Sequence, residues 1–423
     1  MGSTSIAAMD SNTFSLSNPA SYAQVKRFMF ATGFTGSLYE LNTGRQKYNS
    51  YDFQLPYLSF CLPLLSGDTA KYWRHWGLNV SLLPFSRTSY QSRFSNIQNG
   101  IPTTELYAGT GGFTKFQAGT GIQVSRNFYI GANAGYLFGN QRSSHASETP
   151  DSFKAHNVLR SSRIIAGGFV FDAGAIYKTK VGKTGTLQLG LNANIPSAVA
   201  ARREEYAFTY NGNHFSDTSF RKSLIDYTNS DYSNTIGASD SIFNRTNARG
   251  NLNMPLGTGF GIQYTWNNAL KDNAKKDNSF TIAADVYQRK WSEYTIFGST
   301  EPLMDLTSFS GGFSIKPNTK QEGLTRMGNF LRRNEYRAGA KYSTGIYNLS
   351  NTVPVDTRLS FGIGMPMTVK QFNVTSVSFL DLTIEAGEMK GSTLANNLNQ
   401  RYLIISLGFH LAEKGWFKND RID

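Results

Sequence analysis

Five histidines, one cysteine and a scatter of serines are the residues of this chain that could carry out chemistry, and their spacing argues against it. His75, His145, His156, His214 and His410 form no His-x-x-x-His pair of the kind that holds a metal on one helix face. Ser406 and His410 share a face of an alternating run. Four strand residues separate them by ~13 Å, beyond the reach of proton transfer. Gly257-Thr258-Gly259-Phe260-Gly261 has the composition of a phosphate loop. It lies inside an alternating run with no helix pattern after it, so the context that gives such a loop its chemistry is missing. Cys61 has no partner for an intrachain disulfide and leaves the redox compartment unread. The expectation is a protein that is not an enzyme and holds no metal or cofactor.

The remaining polar candidates are charges in the middle of strand-like runs: Asp172, Asp285, Arg289, Arg337, Lys341, Asp381 and Glu385. Each falls on the face opposite the more apolar one. Near the C-terminus, Leu403, Ile405, Leu407, Phe409 and Leu411 share one face, and Ser406, Gly408 and His410 share the other. Phe128, Ile130, Ala132, Ala134, Tyr136 and Phe138 oppose Gly131, Asn133 and Gly135 in the same way. Period-two alternation is the strand signal, and it recurs along nearly the whole chain. In a barrel the charged face lines a wet lumen; in a soluble sandwich it would be the outer surface. The lumen charges read either as a polar path or as cross-strand ion pairs that hold the barrel, and the second reading is preferred.

Composition separates barrel from sandwich. Only 39% of residues are hydrophobic, yet 13% are aromatic and 40 are glycine. Half-apolar strands with aromatic girdles suit a transmembrane barrel. No apolar run approaches the ~18 residues of a spanning helix; Ile164 to Phe171 ends at Asp172. A chain that spans a membrane without such a helix must close as a barrel, which pairs every backbone group. A soluble all-β binding protein is the competing class, separable by solubility without detergent.

The expected fold class is all-β, a transmembrane antiparallel barrel of about fourteen strands with a short N-terminal hatch. The strands fall at 27–41, 51–63, 74–87, 111–125, 128–139, 159–178, 184–211, 255–267, 278–298, 307–318, 335–347, 355–368, 376–388 and 400–412. With the N-terminus in the periplasm, the longest connections, 88–110, 140–158 and 212–254, all lie outside, and tight turns at 126–127 and 179–183 lie inside. The segment 319–334 is long for an inner turn, and Leu324, Met327 and Leu331 space it as a short helix. The domains are then residues 1–26 as hatch, 27–412 as outer-membrane barrel with the Asn- and Ser-rich outer loop 212–254, and 413–423 as a periplasmic tail. Trp73, Trp76, Trp291 and Trp416 near strand ends are interface anchors. Net charge is +13. The basic residues are scattered with no stripe, which argues against nucleic acid and for outer-membrane lipid and lipopolysaccharide head groups. Met1 to Asp10 lacks the basic start and apolar core of a signal peptide, so the chain is read as a mature or truncated form.

Several local patterns occur in a definite order. Asn18-Pro19-Ala20-Ser21-Tyr22-Ala23 precedes the first strand. Trp76-Gly77-Leu78, Leu83-Pro84-Phe85-Ser86, Tyr107-x-Gly-x-Gly111-Gly112 and Gly131-x-Asn-x-x-Tyr136-Leu-Phe-Gly139 follow. Later come Asp285-x-Tyr287, Tyr336-Arg337-x-Gly339, Gly364-x-Pro366 and Trp416-Phe417. Together these resemble the FadL/TodX-type outer-membrane transporters, and more narrowly their divergent relatives that include PorV of type IX secretion. The resemblance covers nearly the whole chain. It implies a hatch in which Asn18, Pro19 and Ala20 take the place of the family's Asn-Pro-Ala, and a kinked third strand that opens the wall. Pro84, with Phe85 after it, is the residue of strand three that cannot donate to a ladder; it either opens that gap or simply ends the strand. The short hatch and the chain beyond the last strand depart from the family. Two functions are therefore carried forward. One is passive transport of a hydrophobic ligand through a hatch-gated lumen and lateral opening. The other is a non-transporting barrel subunit of an outer-membrane export or assembly complex.

Overall fold

Many of this protein's large apolar side chains are exposed, while many polar ones are buried. Phe169 is 62% and Leu359 66% accessible, whereas Asp285 is 6% and Gln117 0%. That inversion of a soluble protein's distribution places lipid outside and a polar lumen inside, as in a transmembrane barrel. The computed structural model describes residues 1–10, 13–44, 47–66, 75–98, 100–150, 156–212, 238–269, 277–317, 331–348, 353–371, 374–392 and 397–413.

Nineteen strand segments form one antiparallel sheet, and pairing resolves them into fourteen staves. Stave one is β1 (Phe28–Asn42); stave two is β2 (Lys47–Gln54) with β3 (Leu58–Ser66), both paired to β1. Staves three to six are β4 (His75–Gln98), β5 (Ile101–Gln123), β6 (Phe128–Glu148) and β7 (Asn157–Val181). Stave seven joins β8 (Gly185–Ile195) to β9 (Ser197–Tyr210), both paired to β7. Stave eight joins β10 (Ala238–Met254) to β11 (Gly257–Ala269), and stave nine joins β12 (Asp277–Arg289) to the short β13 (Thr295–Ile296), which turns back as β14 (Ser299–Thr300). Staves ten to fourteen are β15 (Leu306–Lys316), β16 (Glu335–Thr344), β17 (Val355–Gln371), β18 (Val374–Ser392) and β19 (Asn397–Glu413). The pairing of β1 with β19, from Phe28 opposite Glu413 to Asn42 opposite Asn399, closes the barrel.

The expected count of fourteen is the observed one, but the staves differ from the expected spans where prolines interrupt them. The strands read as 51–63 and 184–211 each divide, at Leu55-Pro56-Tyr57 and at Pro196. Pro255 separates β10 from β11. Proline cannot donate to a ladder, so each break falls where the chain has no N–H to give. The loop reading of 212–254 is corrected for residues 238–254, which form β10 and pair with β9; residues 213–237 lie outside the described residues. The reading of 88–110 as a loop is corrected as well, because β4 and β5 stay paired out to Gln98 and Ile101. Likewise β6 runs to Glu148 and β7 starts at Asn157, inside the segment read as 140–158. The physical reason is common to all three. These strand ends extend past the ~9–11 residues a bilayer needs, so the long lipid-facing alternation stops there, and one face buries only a small cluster that includes Leu106, Leu159 and Phe208. The tight turns at 124–127 and 182–184 stand where expected. Leu331 to Arg333 are helical, while Leu324, Met327, Trp73, Trp416 and residues 414–423 lie outside the described residues.

The breaks line up. Phe85 is the extra residue of a bulge between Pro84 and Ser86 on β4. Beside it on β5, Gly111 takes φ +97°, a conformation that L side chains avoid. The partner of Phe113 on β6 is Gly139, with φ +147°. Next come Gly167 and Gly168 on β7, then Pro196, Pro255 and the 3-10 turn Trp291–Glu293. One transverse line of bulge, glycine and proline positions thus crosses staves three to nine.

Candidate functional site: the lumen and the gap in its wall

Glycine on the lumen face lets a chain segment lie against the wall. A Cβ at Gly131 would come within 2.4 Å of the Pro19 carbonyl carbon, and one at Gly190 within 2.3 Å of the Ile6 oxygen. The described N-terminal residues pass Gly339 and Gly312 at Met1, Gly174 at Asn18 and Gly77 at Tyr22. They therefore cross the lumen from β15–β16 to β4 before entering β1. Polar side chains hold them there. Asn18 caps the 3-10 helix Pro19–Gln24, its Oδ1 accepting from Ala20 N at 3.1 Å with Pro19 at the first position. Its Nδ2 donates to Ile6 O at 2.7 Å and to the wall carbonyl of Leu191 at 3.1 Å. Ala20 is fully buried, and burial pushes the Tyr22 phenol well above its ordinary pKa. Gln188 donates to Met9 O at 2.9 Å and Asn192 to Ser17 O at 3.0 Å.

The charged residues singled out in the sequence all face the lumen, and most meet a partner. Asp285 accepts from Ser5 N at 2.6 Å and Ile6 N at 3.0 Å, so its carboxylate fastens the N-terminal segment to β12. Asp172 pairs with Lys115 at 2.9 Å and accepts from Asn194 at 2.7 Å. Arg337 bonds Asp381 at 2.6 Å and Glu335 at 2.9 Å. Glu385 faces Arg358 at 3.6 Å. Lys341 lines a cavity of about 300 Å³ together with Asp172, Asp285 and residues of the N-terminal segment. Arg289 is the exception: its guanidinium stacks on Phe85 at 5.5 Å and on Trp291 at 4.6 Å. Such contacts are cation–π pairs. Because Phe85 belongs to stave three and Arg289 to stave nine, side chains from distant staves meet across the lumen at this level.

An apolar layer continues that contact. Phe113, Leu137, Val170, Val199 and Leu252 form one buried cluster, against which Phe85, Tyr294 and Phe297 pack. At the same height the wall is unpaired. β3 pairs with β4 only up to Leu58 opposite Leu82. Beyond that point, among the described residues, β2 pairs with β1 alone and β4 with β5 alone, and no ladder joins β2 to β4. Pro84 lies on the β4 edge of this gap, lipid-facing and exposed. Across the gap, Arg87 reaches Asp52 at 2.7 Å and Phe53 O at 3.2 Å. Below it, Tyr57 of the stave-two break meets His410 at 3.4 Å, and His410 meets Asp381 at 3.7 Å.

Sequence reasoning had singled out Pro84 and Phe85 but missed Asp52, Arg87, Tyr57 and Lys115. Arg87 stood at the end of an expected strand and Asp52 inside another, with nothing in either spacing to pair them. The cluster of lumen glycines was visible as alternating small residues, but the segment they accommodate was not readable from them.

A sequence model of the BamG family matches residues 1–423. No curated protein matches. Among solved structures, a FadL homologue from Pseudomonas aeruginosa superposes with TM-score 0.55 at 11% identity, covering 94% of this chain and 92% of that one. The Pseudomonas putida toluene transporter TodX gives TM-score 0.52 at 13% identity, covering 98% and 96%. The CymD monoaromatic hydrocarbon channel gives 0.51 at 12% identity, covering 98% and 95%. Each of these is a transporter or channel barrel and not an enzyme, and at such identities the likeness establishes the fold. With its whole length matched by that family's model, the chain belongs to the BamG family and carries a FadL-type outer-membrane β-barrel.

Proposed function

We propose that this barrel passes hydrophobic small molecules from the outside into the outer membrane, sideways through the gap between β2 and β4. The observation that carries the reading is the apolar lumen layer at the height of an unpaired stretch of wall. A polar lumen alone would suit a hydrophilic solute. An apolar layer beside a lateral opening suits a ligand that prefers lipid to water. Residues 1–26 act as the hatch, with Asn18, Pro19 and Ala20 seating it, so that solutes do not leak on to the periplasm, where both termini lie. Phe85 forms the inner lip of the exit and Pro84 its edge. The neighbours are described as carrying toluene and monoaromatic hydrocarbons, which makes toluene the reasonable first probe.

The test uses one variant in two states. Asp52→Cys with Arg87→Cys, in a Cys61→Ala background, removes the pair that spans the gap. A short bifunctional thiol reagent then ties the two edges together. Uptake of labelled toluene by whole cells should rise before cross-linking and fall to the level of cells lacking the barrel afterwards. Equal uptake in all three samples would sink the transport reading.

A second reading is favoured by a different observation. Staves three to eight continue beyond the bilayer as a paired sheet, with Phe94 59% and Ile97 70% exposed near its far end. Transport has no need of that sheet, whereas a barrel subunit of an export or assembly complex, in the manner of PorV, would use it as a docking surface. A photo-cross-linking residue placed at Ile97 in native membranes should then trap one discrete outer-membrane protein.

A further inference from the structure

The lipid face of β7 measures the membrane. Tyr177, Ala175, Ala173, Phe171, Phe169 and Gly167 lie on it in succession, a stretch close to the ~9–11 residues of a tilted transmembrane strand. The next residues on that face are Ile165 and Arg163, so the hydrocarbon ends there. In the two cross-strand rows at this level stand Arg142 opposite Arg163, and Arg202 opposite Arg249. Arg202 also neighbours Ile165, and Arg163 neighbours Glu204. Glu204 is the one carboxylate of these rows among the described residues. It meets Arg202 at 3.0 Å and Arg163 at 3.8 Å. Arg142 is buried, so the three accessible arginines against one carboxylate leave a surplus of two positive charges at the membrane boundary. Two like charges directly opposite on neighbouring strands repel, and the arrangement persists most readily where an anion sits between them.

Beneath Arg202 and Arg249 the wall is concave. A groove of about 930 Å³ has Gly167 and Ala200 in its floor and Tyr136 and Phe138 at its side. The Tyr136 hydroxyl lies 2.8 Å from where a Cβ on Gly167 would be, so the ring leans over the glycine. Tyr136 also packs edge-on to Phe169 at 5.3 Å. The floor of small residues leaves room for an alkyl chain along the wall, and the mouth presents two exposed guanidinium groups to a head group.

We propose that this groove is a binding site for a phosphorylated, acylated glycolipid of the outer leaflet, lipid A. Its acyl chain lies over Gly167 and Ala200 between the aromatic rings. Its phosphate sits between Arg202 and Arg249, whose planar forks match phosphate oxygens in a way that lysine does not. The site faces lipid on staves five to eight, away from the gap at staves two and three, so it stands or falls apart from the transport reading. It also turns the diffuse positive charge of the chain into a located one, at the end opposite the tight Gly182–Thr184 turn.

The test reconstitutes the full-length barrel in phosphatidylcholine nanodiscs and titrates lipid A or phosphatidylglycerol as probe. Wild type should bind lipid A well above phosphatidylglycerol. Arg202→Gln with Arg249→Gln should weaken lipid A binding by about tenfold per arginine, while the barrel keeps its heat-modifiable migration. Arg202→Lys with Arg249→Lys should recover part of the affinity, and Lys183→Gln at the opposite rim should change nothing. Unchanged binding in the double glutamine variant overturns the site. Equal binding of phosphatidylglycerol overturns the assignment to the outer-leaflet glycolipid. Loss of a co-purifying acidic protein with lipid A binding intact would assign the arginines to a protein partner instead and overturn the proposal.

Discussion

The two halves of the barrel wall are built differently. From β11 and β12 through β15 to β19 and β1, most staves run unbroken, pairing residue for residue, as in Phe313 opposite Ala338 or Leu382 opposite Leu407. Their lumen faces are fastened by ion pairs such as Arg337 with Asp381. The other half, β2 to β10, is taller, crossed by a line of prolines and glycines, and, among the described residues, unpaired between β2 and β4. The regular half behaves as a scaffold, where lipid-facing alternation governs stability. The irregular half carries the gap, the apolar lumen layer and the projecting sheet, and its departures from regularity are the places where function is proposed.

The comparison predicts the largest effect in the regular half. Leu407→Arg on β19 should cost about 2–4 kcal/mol of folding stability if near the bilayer midplane, read from urea-dependent refolding into lipid vesicles. Gly408→Arg, one residue on, should cost clearly less. Its side chain would enter the lumen, where an added Cβ would lie 3.2 Å from the Tyr57 hydroxyl and 3.5 Å from the Asp381 Cβ, among polar groups and away from lipid. Equal costs at the two positions would remove the distinction between lipid and lumen faces.

A smaller effect is expected where the N-terminal segment meets the wall. Gly131→Leu forces new atoms into Pro19 and Ala20, an overpacking of about 1–3 kcal/mol that displacement of the segment can relieve. The barrel should still fold, and it should leak small polar solutes in a liposome-swelling assay, as should a chain lacking residues 1–18. A tight Gly131→Leu barrel would mean that the segment does not seal the lumen.

Much of the regular half was legible in the sequence, because one lipid face and one wet face write themselves as period two. Leu403 to Leu411 specify both the strand and its orientation. The irregular half was read less well. Residues 242–245 carry Asn and Arg in a paired strand because their side chains are exposed on both faces. Pro56 and Pro196 split staves that alternation alone would run together. The seven charges were read onto one face by alternation, since a charge cannot face lipid cheaply. Their partners were not legible, because Asp172 with Lys115 or Arg337 with Asp381 depend on register between strands 44 or more residues apart. No periodicity encodes that pairing.

At the edge of the gap the effect should be functional more than energetic. Pro84→Val supplies the donor that the β4 edge lacks, and should lower toluene uptake without changing the urea midpoint. The smallest change of all is Arg87→Gln. Arg87 and Asp52 are 45% and 28% exposed, so water screens their attraction and the stability change should stay below ~1 kcal/mol. Yet their ion pair links β2 to β4 where, among the described residues, no ladder joins them. Without it, the β2 edge is held by β1 alone, and the opening should widen more often. Toluene uptake by whole cells should rise while refolding stays within error of wild type. If the barrel serves a complex, uptake stays at the wild-type level in both variants and the yield of a co-purified partner falls. A large stability loss with no change in uptake would make the pair a structural tie and leave the gap without a functional role.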